Sequence, residues 1–507
     1  MATLDIDGMV EVKDSAAFDN ANPTIKKALE CRMLLATPEP EPGALALLRK
    51  TARLLVAKLR GRVHPWDLDT YPSIAPNAPR YVKAVNMLRE SGTNESRPSD
   101  ARLFCFVKAG HEFVGGTKLP RPRAIQTPAP AHAVEFARFI KPIESKIYTL
   151  HDLGDNFDRN PVIAKCLNSW QRGRALMEKS EAFVAETGES PLFIALDCTA
   201  FDAHVNYDLL CIEHQSYLSL IASEHRRFKT LLDWQKTKTG YAGTDIRYTC
   251  RGKRASGHMN TAVGNCWLMI VMIVCAMTTI FPTPVYYDLL DDGDDCLILI
   301  APSNYEKFSS KIKSVFLSYG MVLKIEKVAD KLTSIEWCQS RPIEVYPRQW
   351  RMIRDYRKVM ATSCTAFVPM DAVSRKRYVY SIGLGELHLN RGVPILQSYA
   401  KCLMRNTDGE KRKYHHKPNG GFAHRVYRET GQSVSDLSEI KEWPISITAR
   451  YSFAEAYGVS VVEQIIIENS LDNLSFDVSK TPSGDPSVPL VDPSTWEGLV
   501  VACDHRW

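Results

Sequence analysis

The stretch Val285-Tyr-Tyr-Asp-Leu-Leu-Asp-Asp-Gly-Asp-Asp-Cys-Leu-Ile-Leu-Ile300 constrains this chain more than any other. Two apolar, strand-like runs flank a short Asp/Gly turn, the pattern of a β-hairpin. Gly293 supplies the positive φ that such a turn demands. Asp294 and Asp295 fall at the tip, with Asp291 and Asp292 just before it. Four carboxylates on one turn repel each other unless a cation sits nearby. Hard oxygen ligands of this kind suit Mg²⁺, with Mn²⁺ as the alternative. Taken alone, the same residues also fit a solvated acidic turn.

A second acidic element narrows the choice. Pro191-Leu-Phe-Ile-Ala-Leu-Asp197 is an apolar run ending in a carboxylate, and it continues Cys198-Thr-Ala-Phe-Asp202. A strand delivering Asp197 at its C-terminal end can pair with the hairpin and set Asp197 beside Asp294. Carboxylates from adjacent strands can share two Mg²⁺ ions about 3.5–4 Å apart, the arrangement used for in-line phosphoryl transfer. Asp202, five residues on, is offset from such metals and free to recognise another group. Between these elements lies Gly252-Lys-Arg-Ala-Ser-Gly-His-Met-Asn-Thr-Ala-Val-Gly-Asn265. Ser256 and Gly257 suit a flexible loop. Thr261 and Asn265 are four apart, so they share one helix face and can present a hydroxyl and an amide to a ribose. An N-cap loop with two incidental polar residues is the simpler reading of that segment.

With these residues in view, the chain resembles the viral RNA-dependent RNA polymerases, and among them the tombusvirus-like group of positive-strand RNA viruses. Motif A of that group is similar to Leu196-Asp-Cys-Thr-Ala-Phe-Asp-Ala-His-Val205, motif B to Ala255-Ser-Gly-His-Met-Asn-Thr-Ala-Val-Gly-Asn-Cys266, and motif C to Gly293-Asp-Asp295. Motif F resembles Phe106-Val-Lys-Ala109 with Leu119-Pro-Arg-Pro-Arg-Ala-Ile-Gln126 and Ala137-Arg-Phe-Ile-Lys-Pro-Ile-Glu144. Motif D resembles Tyr319-Gly-Met-Val-Leu-Lys-Ile-Glu326, and motif E resembles Ile335-Glu-Trp-Cys-Gln339. His258 departs from the acidic residue more usual there, and Asp291-Asp292 stand where Asn is common.

The resemblance implies an α+β right-hand polymerase fold with fingers, a palm built on a small antiparallel sheet, and a helical thumb. It implies two-metal nucleotidyl transfer from ribonucleoside triphosphates to RNA on an RNA template, in replication of a positive-strand genome. Asp197 and Asp294 are then the expected ligands of both metals, with Asp295 as a secondary ligand and the backbone carbonyl of Cys198 completing one site. Lys108, Arg121 and Arg123 are expected on the triphosphate, Arg123 as a planar fork suited to paired oxygens. Asp202, Ser256, Thr261 and Asn265 are expected to read the 2′-hydroxyl, which both donates and accepts. Lys324 matches the lysine that protonates the leaving pyrophosphate, although Lys327 is close by. Trp337, Cys338 and Gln339 are expected to grip the primer strand.

Two other readings stay open. A reverse transcriptase-like polymerase conflicts with Asp202 and Asn265, which suit a site demanding a 2′-hydroxyl. An inactive, polymerase-derived RNA-binding scaffold conflicts with intact Asp197, Asp294, Lys108 and Arg123.

Charge supports a polyanionic partner. The net charge is +6, but residues 1–400 carry +9, residues 401–430 carry +5 and residues 431–507 carry −8. A basic body with an acidic tail suits RNA. Lys411, Arg412 and Lys413, interleaved with Tyr414 and histidines, form the densest run and are expected to contact RNA. The thirteen cysteines are scattered with no Cys-x-x-Cys pair. That argues against structural zinc and against a secreted disulfide framework, and for a reducing compartment.

The first residues do not have the pattern of a signal peptide, and none is expected. The apolar run of residues 266–281 is shorter than the roughly 20 residues a spanning helix needs. It reads as a buried palm helix, so no transmembrane segment is expected. Residues 44–60 read as a basic amphipathic helix, expected to pack on the body, with peripheral membrane attachment as the other option. The host cytoplasm, at membrane-associated replication sites with viral or host replication proteins, is the expected setting.

Along the chain we expect an N-terminal extension over residues 1–100, with 63–80 irregular. Fingers are expected over 101–190 and 208–254, palm over 191–207 and 255–345, thumb over 346–477 and a tail over 478–507.

Overall fold

A four-stranded antiparallel sheet organises the centre of the computed structural model, in the order Leu323–Ala329, Leu192–Cys198, Asp295–Ile300, Tyr287–Asp291. The model describes residues 15–18, 20–75, 78–108, 112–113, 121–151, 161–363, 371–407, 420–478 and 499–501. The two inner strands are apolar along almost their whole length because both of their faces are covered. Side chains alternate across a strand. Accordingly Ile194, Leu196, Cys296 and Ile298 enter one buried cluster, while Phe193, Ala195, Leu297 and Leu299 enter another on the opposite face.

The first cluster is dominated by the helix Thr261–Ile280. All residues from 263 to 273 are buried, so a helix apolar on every side is here a core helix. It is 20 residues long, longer than the 16-residue apolar run, because it already begins at Thr261. By length and composition it is the one helix among the described residues able to cross a membrane, and its burial inside the fold accounts for its apolarity.

A second four-stranded sheet has the order Ala124–Thr127, Leu103–Val107, Thr237–Ala242, Ile246–Arg251. Its central pair is parallel, joining strands far apart in sequence. The mixed α+β architecture expected from the sequence is borne out, and its small sheets are backed by helices.

Two helices of the expected N-terminal extension pack on the body of the fold. The helix Asn22–Glu30 buries Ile25, Ala28 and Leu29 against Cys105, Val107, Ala242 and Tyr248 of the second sheet. The helix Pro42–Lys58 buries Leu45, Leu48 and Leu55 in the same cluster as Thr261–Ile280, so it packs on the body as expected. Residues 63–80 are not wholly irregular, since Thr70–Ile74 is helical and the helix Ala78–Glu90 has begun.

The boundary expected at residue 346 cuts a hairpin. Ser340–Tyr346 pairs with Gln349–Arg354. Ile343, Val345 and Ile353 of that hairpin share one core with Tyr378, Tyr399, Phe453 and Leu471 of the following helices.

Candidate active site

The strand Leu192–Cys198 is edged by Leu323–Ala329 on one side and Asp295–Ile300 on the other. Its register therefore sets Lys324, Asp197 and Asp295 side by side on one face at the end of the sheet. Directly opposed residues have Cβ atoms about 4.5–5.5 Å apart, close enough for their charges to interact. The tight turn between the hairpin strands carries Gly293 at φ 104° and projects Asp294 into the open. Asp197 and Asp294 then line one cavity of about 390 Å³ together with Lys324, Asp202, Ser256, Lys108, Arg123 and Arg32. Three carboxylates and four cationic side chains thus share one cavity.

The four aspartates of the hairpin divide into two pairs. Asp291 is fully buried, accepts the Gly293 N–H at 3.1 Å, and is pushed well above the usual carboxylate range by burial. Asp292 meets Lys165 at 3.2 Å and Arg172 at 2.8 Å. Burial alone would raise its pKa, but those two cations outweigh it and hold the group below the ordinary value. Among the described residues neither Asp294 nor Asp295 forms an ion pair of this kind. Asp295 is raised to about 7 by burial and then by Asp294 and Asp197. Asp197 is raised by burial and by Asp294, against the pull of Lys324, Arg123 and Arg32. Of the four hairpin carboxylates, Asp292 is therefore already compensated by Lys165 and Arg172, and it is not among the expected metal ligands.

This donor set fits Mg²⁺. Among the described residues no three His, Cys, Asp or Glu side chains form a closed cage. Mg²⁺ characteristically binds through one or two carboxylates plus substrate phosphates and water, so an open pair such as Asp197 and Asp294 is the appropriate arrangement. The Cys198 side chain is buried and its thiol is pushed far up by burial, which leaves only its backbone as a donor.

The expected sugar-reading residues form a relay. Ser256 Oγ donates to Asp202 Oδ2, and Asn265 Nδ2 donates to Asp202 Oδ1 at 2.9 Å. The other end of the Asn265 amide accepts from Arg254 Nε at 2.9 Å. Arg254 in turn makes a two-pronged pair with Glu213, which is wholly buried. Burial opposes charge on both, yet each holds the other ionised. Gly264 makes room for this pair, because a Cβ there would lie 2.5 Å from Glu213 Oε1 and 2.7 Å from Arg254 Nη2.

Asn265 thus spends both amide ends inside the protein, and it is Asp202 and Ser256 that line the cavity. Thr261 is also corrected. Its hydroxyl donates to Ala255 and His258 carbonyls, bracing the Ser256 loop, and it does not line the cavity.

Of the cations, Lys108, Arg123 and Lys324 reach the cavity, while Arg121 is exposed outside it. Lys327 instead approaches Glu336 at 3.8 Å, which separates it from Lys324. Trp337 is another correction. It is 3% exposed, donates from Nε1 to the Asp295 carbonyl at 3.2 Å and lies under the Arg172 guanidinium, so it supports the hairpin from behind and its ring is not free for a strand. Cys338 packs on Asp292, with its Sγ 3.4 Å from Oδ2. Gln339 alone of the three is exposed, and it accepts from Lys358. Lys411, Arg412 and Lys413 lie outside the described residues.

Five residues had been given no role: Arg32, Lys165, Arg172, Glu213 and Arg254. Arg254 and Gly264 stand inside the Ser-Gly loop and helix segment, so their neighbourhood was visible in the sequence. Glu213 lies on the helix Tyr207–Leu220, outside every motif, and no local pattern marks it.

The chain is similar to known proteins of one family. The profile of the viral RNA dependent RNA polymerase family matches residues 25–479. The RNA-directed RNA polymerase of Groundnut rosette virus (strain MC1) is 31% identical over 428 residues, covering 82% of this chain and 47% of that protein. That of Tobacco necrosis virus (strain D) is 28% identical over 452 residues, covering 88% and 60%. That of Maize chlorotic mottle virus is 31% identical over 445 residues, covering 86% and 43%. The chain spans about half the length of the curated relatives it matches.

Proposed function

We propose that this chain, which belongs to the viral RNA-dependent RNA polymerase family in its tombusvirus-like group, extends RNA on an RNA template from ribonucleoside triphosphates in replicating a positive-strand viral genome. The observation carrying this reading is the cavity in which Asp197 and Asp294 face Lys108 and Arg123, with Asp202 and Ser256 beside them. In the reaction a 3′-oxygen bonds to the α-phosphorus while the bond from that phosphorus to the departing pyrophosphate breaks.

Asp197 and Asp294 would hold Mg²⁺ or Mn²⁺, with Asp295 and the Cys198 carbonyl as further donors. When bound, the ions lower the pKa of the attacking hydroxyl and neutralise the leaving phosphates. Lys108 and Arg123 bind and orient the triphosphate, whose charge exceeds what carboxylate-bound cations alone offset. Lys324, beside Asp197 in register, carries on Nζ the proton for the leaving group. Asp202, held by Asn265 and Ser256, accepts from the ribose 2′-hydroxyl.

RNA template, product strand and ribonucleoside triphosphates are the proposed partners. Viral or host replication proteins and peripheral attachment to membranes in the host cytoplasm complete the proposed setting.

The test incubates purified protein with a short RNA, Mg²⁺ and labelled ribo- or deoxyribonucleotides, with and without primer. Template-dependent ribonucleotide incorporation is expected, reduced to background in Asp294→Ala while folding and RNA binding persist. Wild-type turnover by that variant would remove the catalytic assignment. Equal use of deoxynucleotides would favour a reverse transcriptase-like enzyme instead.

A further inference from the structure

One cavity-lining cation belongs to none of the sequence motifs. Arg32 follows the helix Asn22–Glu30, in a segment fastened to the fold both before and after it. On one side Asn20 Oδ1 accepts the Val107 N–H at 2.8 Å, and Asn22 Nδ2 donates to Asp245 Oδ1 at 2.8 Å. Ile25, Leu29 and Met33 are buried against the second sheet. On the other side Lys253 Nζ donates to the Leu35 carbonyl at 2.9 Å and to Thr37 Oγ1 at 3.0 Å. Glu41 N–H donates to the Ser318 carbonyl at 2.8 Å, just before the strand that carries Lys324. The backbone before and after Arg32 is thereby fixed to the fold, and Arg32 lines the cavity.

The side chain is half-buried and its guanidinium makes no hydrogen bond or ion pair among the described residues. The Arg123 charge repels it, while those of Asp202 and Asp294 attract it. Burial and the Arg123 charge together lower its pKa. A guanidinium has five N–H donors and no acceptor. Cations converging on one cleft raise the local concentration of anions, and Arg32, Lys108, Arg123 and Lys324 all line this one. A half-buried guanidinium at such a cleft is placed to give its donors to the oxygens of an entering anion.

We propose that Arg32 is a phosphate ligand, and that the phosphate is the triphosphate of the incoming nucleotide, which it grips with Lys108 and Arg123. This rests on the polymerase reading above. The N-terminal segment then closes the nucleotide site as well as packing on the fold. RNA backbone phosphate offers the same chemistry, but Arg32 shares its cavity with Asp197 and Asp294, where the nucleotide reacts.

Arg32→Ala and Arg32→Gln are compared with wild type in three assays, after both are checked for an unchanged unfolding midpoint. Calorimetric titration with GTP and with guanosine reports triphosphate binding without turnover. Incorporation kinetics give KM and kcat, and a labelled RNA gives strand affinity. We expect GTP affinity to fall and KM to rise about tenfold, the worth of one charge-assisted hydrogen bond, with guanosine binding and RNA affinity within twofold. Arg32→Lys should recover part of the loss.

Unchanged GTP affinity and KM overturn the proposal. So does loss of RNA affinity with KM unchanged, which assigns the phosphate to the strand. If wild type binds GTP but incorporates nothing, the polymerase reading fails. The Arg32 site then stands or falls on the titration alone.

Discussion

Replacing Glu213 by Gln should separate what the buried relay does for stability from what it does for the site. Glu213 and Arg254 have side-chain exposures of 0% and 2%, so neither charge is screened by solvent. Breaking a buried pair by removing one partner costs about 3–5 kcal/mol, because the remaining charge is left uncompensated. Gln keeps the volume and one acceptor oxygen, which places the expected loss near the lower end, about 3 kcal/mol. A protein with about 5–15 kcal/mol of total stability survives that. Urea denaturation should show a lower midpoint with an unchanged slope.

The relay should fail at the same time. Arg254 no longer holds the Asn265 carbonyl oxygen at 2.9 Å, the amide can turn, and Asp202 loses its 2.9 Å bond. A hydrogen bond to a charged group is worth about 1.5–3 kcal/mol, so ribose-over-deoxyribose preference should fall about tenfold or more.

The double variant Glu213→Leu with Arg254→Met sharpens the test. Exchanging a buried pair for apolar groups of similar size is often neutral or stabilising. The midpoint should therefore recover while the sugar preference stays low. A wild-type midpoint and preference in Glu213→Gln would refute the reasoning. Recovery of preference in the double variant would show that the relay does not position Asp202.

Asp291→Asn should leave the unfolding midpoint within about 1 kcal/mol of wild type, because the buried carboxyl is already neutral. Asp292→Asn should lose about 1–3 kcal/mol by stranding Lys165 and Arg172; equal midpoints for the two would undo the division of the hairpin aspartates. Gly264→Ala should destabilise by about 1–3 kcal/mol despite alanine's helix preference, since the new methyl meets Glu213 and Arg254, and a stabilised variant would contradict the packing. His132 and His214 are buried neutral, pushed down by burial to about 4 and about 3. The unfolded chain takes up these protons below about pH 6.5, so stability should be lost as pH falls from there towards 4. In thermal melts across that range His132→Gln should flatten the slope by about one proton, and an unchanged slope would show that His132 is already charged in the fold.

Much of the site was legible because its chemistry is written in short spacings. An apolar run ending in Asp197, the Asp-Gly-Asp-Asp turn and the Ser256 loop each declare a local geometry. The tertiary structure brings Asp197, Asp202, Ser256, Asp294, Lys108, Arg123 and Lys324 to one cavity. The misplacements share a cause. Thr261, Asn265 and Trp337 are polar or amphipathic residues inside recognised motifs, and sequence position cannot say whether a donor points at substrate or at a neighbour. Each is spent internally, on the Ser256 loop, on Arg254 with Asp202, and on the Asp295 carbonyl. The helix Thr261–Ile280 makes a related point, since its length alone admits a membrane and only the strands and helices packed around it decide otherwise.

The sequence by itself determined the kinds of group available and the local turns that display them, because hairpin and strand-end geometry depend on residues a few positions apart. Only the tertiary structure decided which charges stay uncompensated. Lys165 and Arg172 come from more than a hundred residues before Asp292 and neutralise it, and Glu213 reaches Arg254 from another helix. Arg32 arrives at the cavity from the N-terminal segment, without a hydrogen bond or ion pair among the described residues. Electrostatic compensation acts through space at a few ångströms, and distance along the chain carries no record of it.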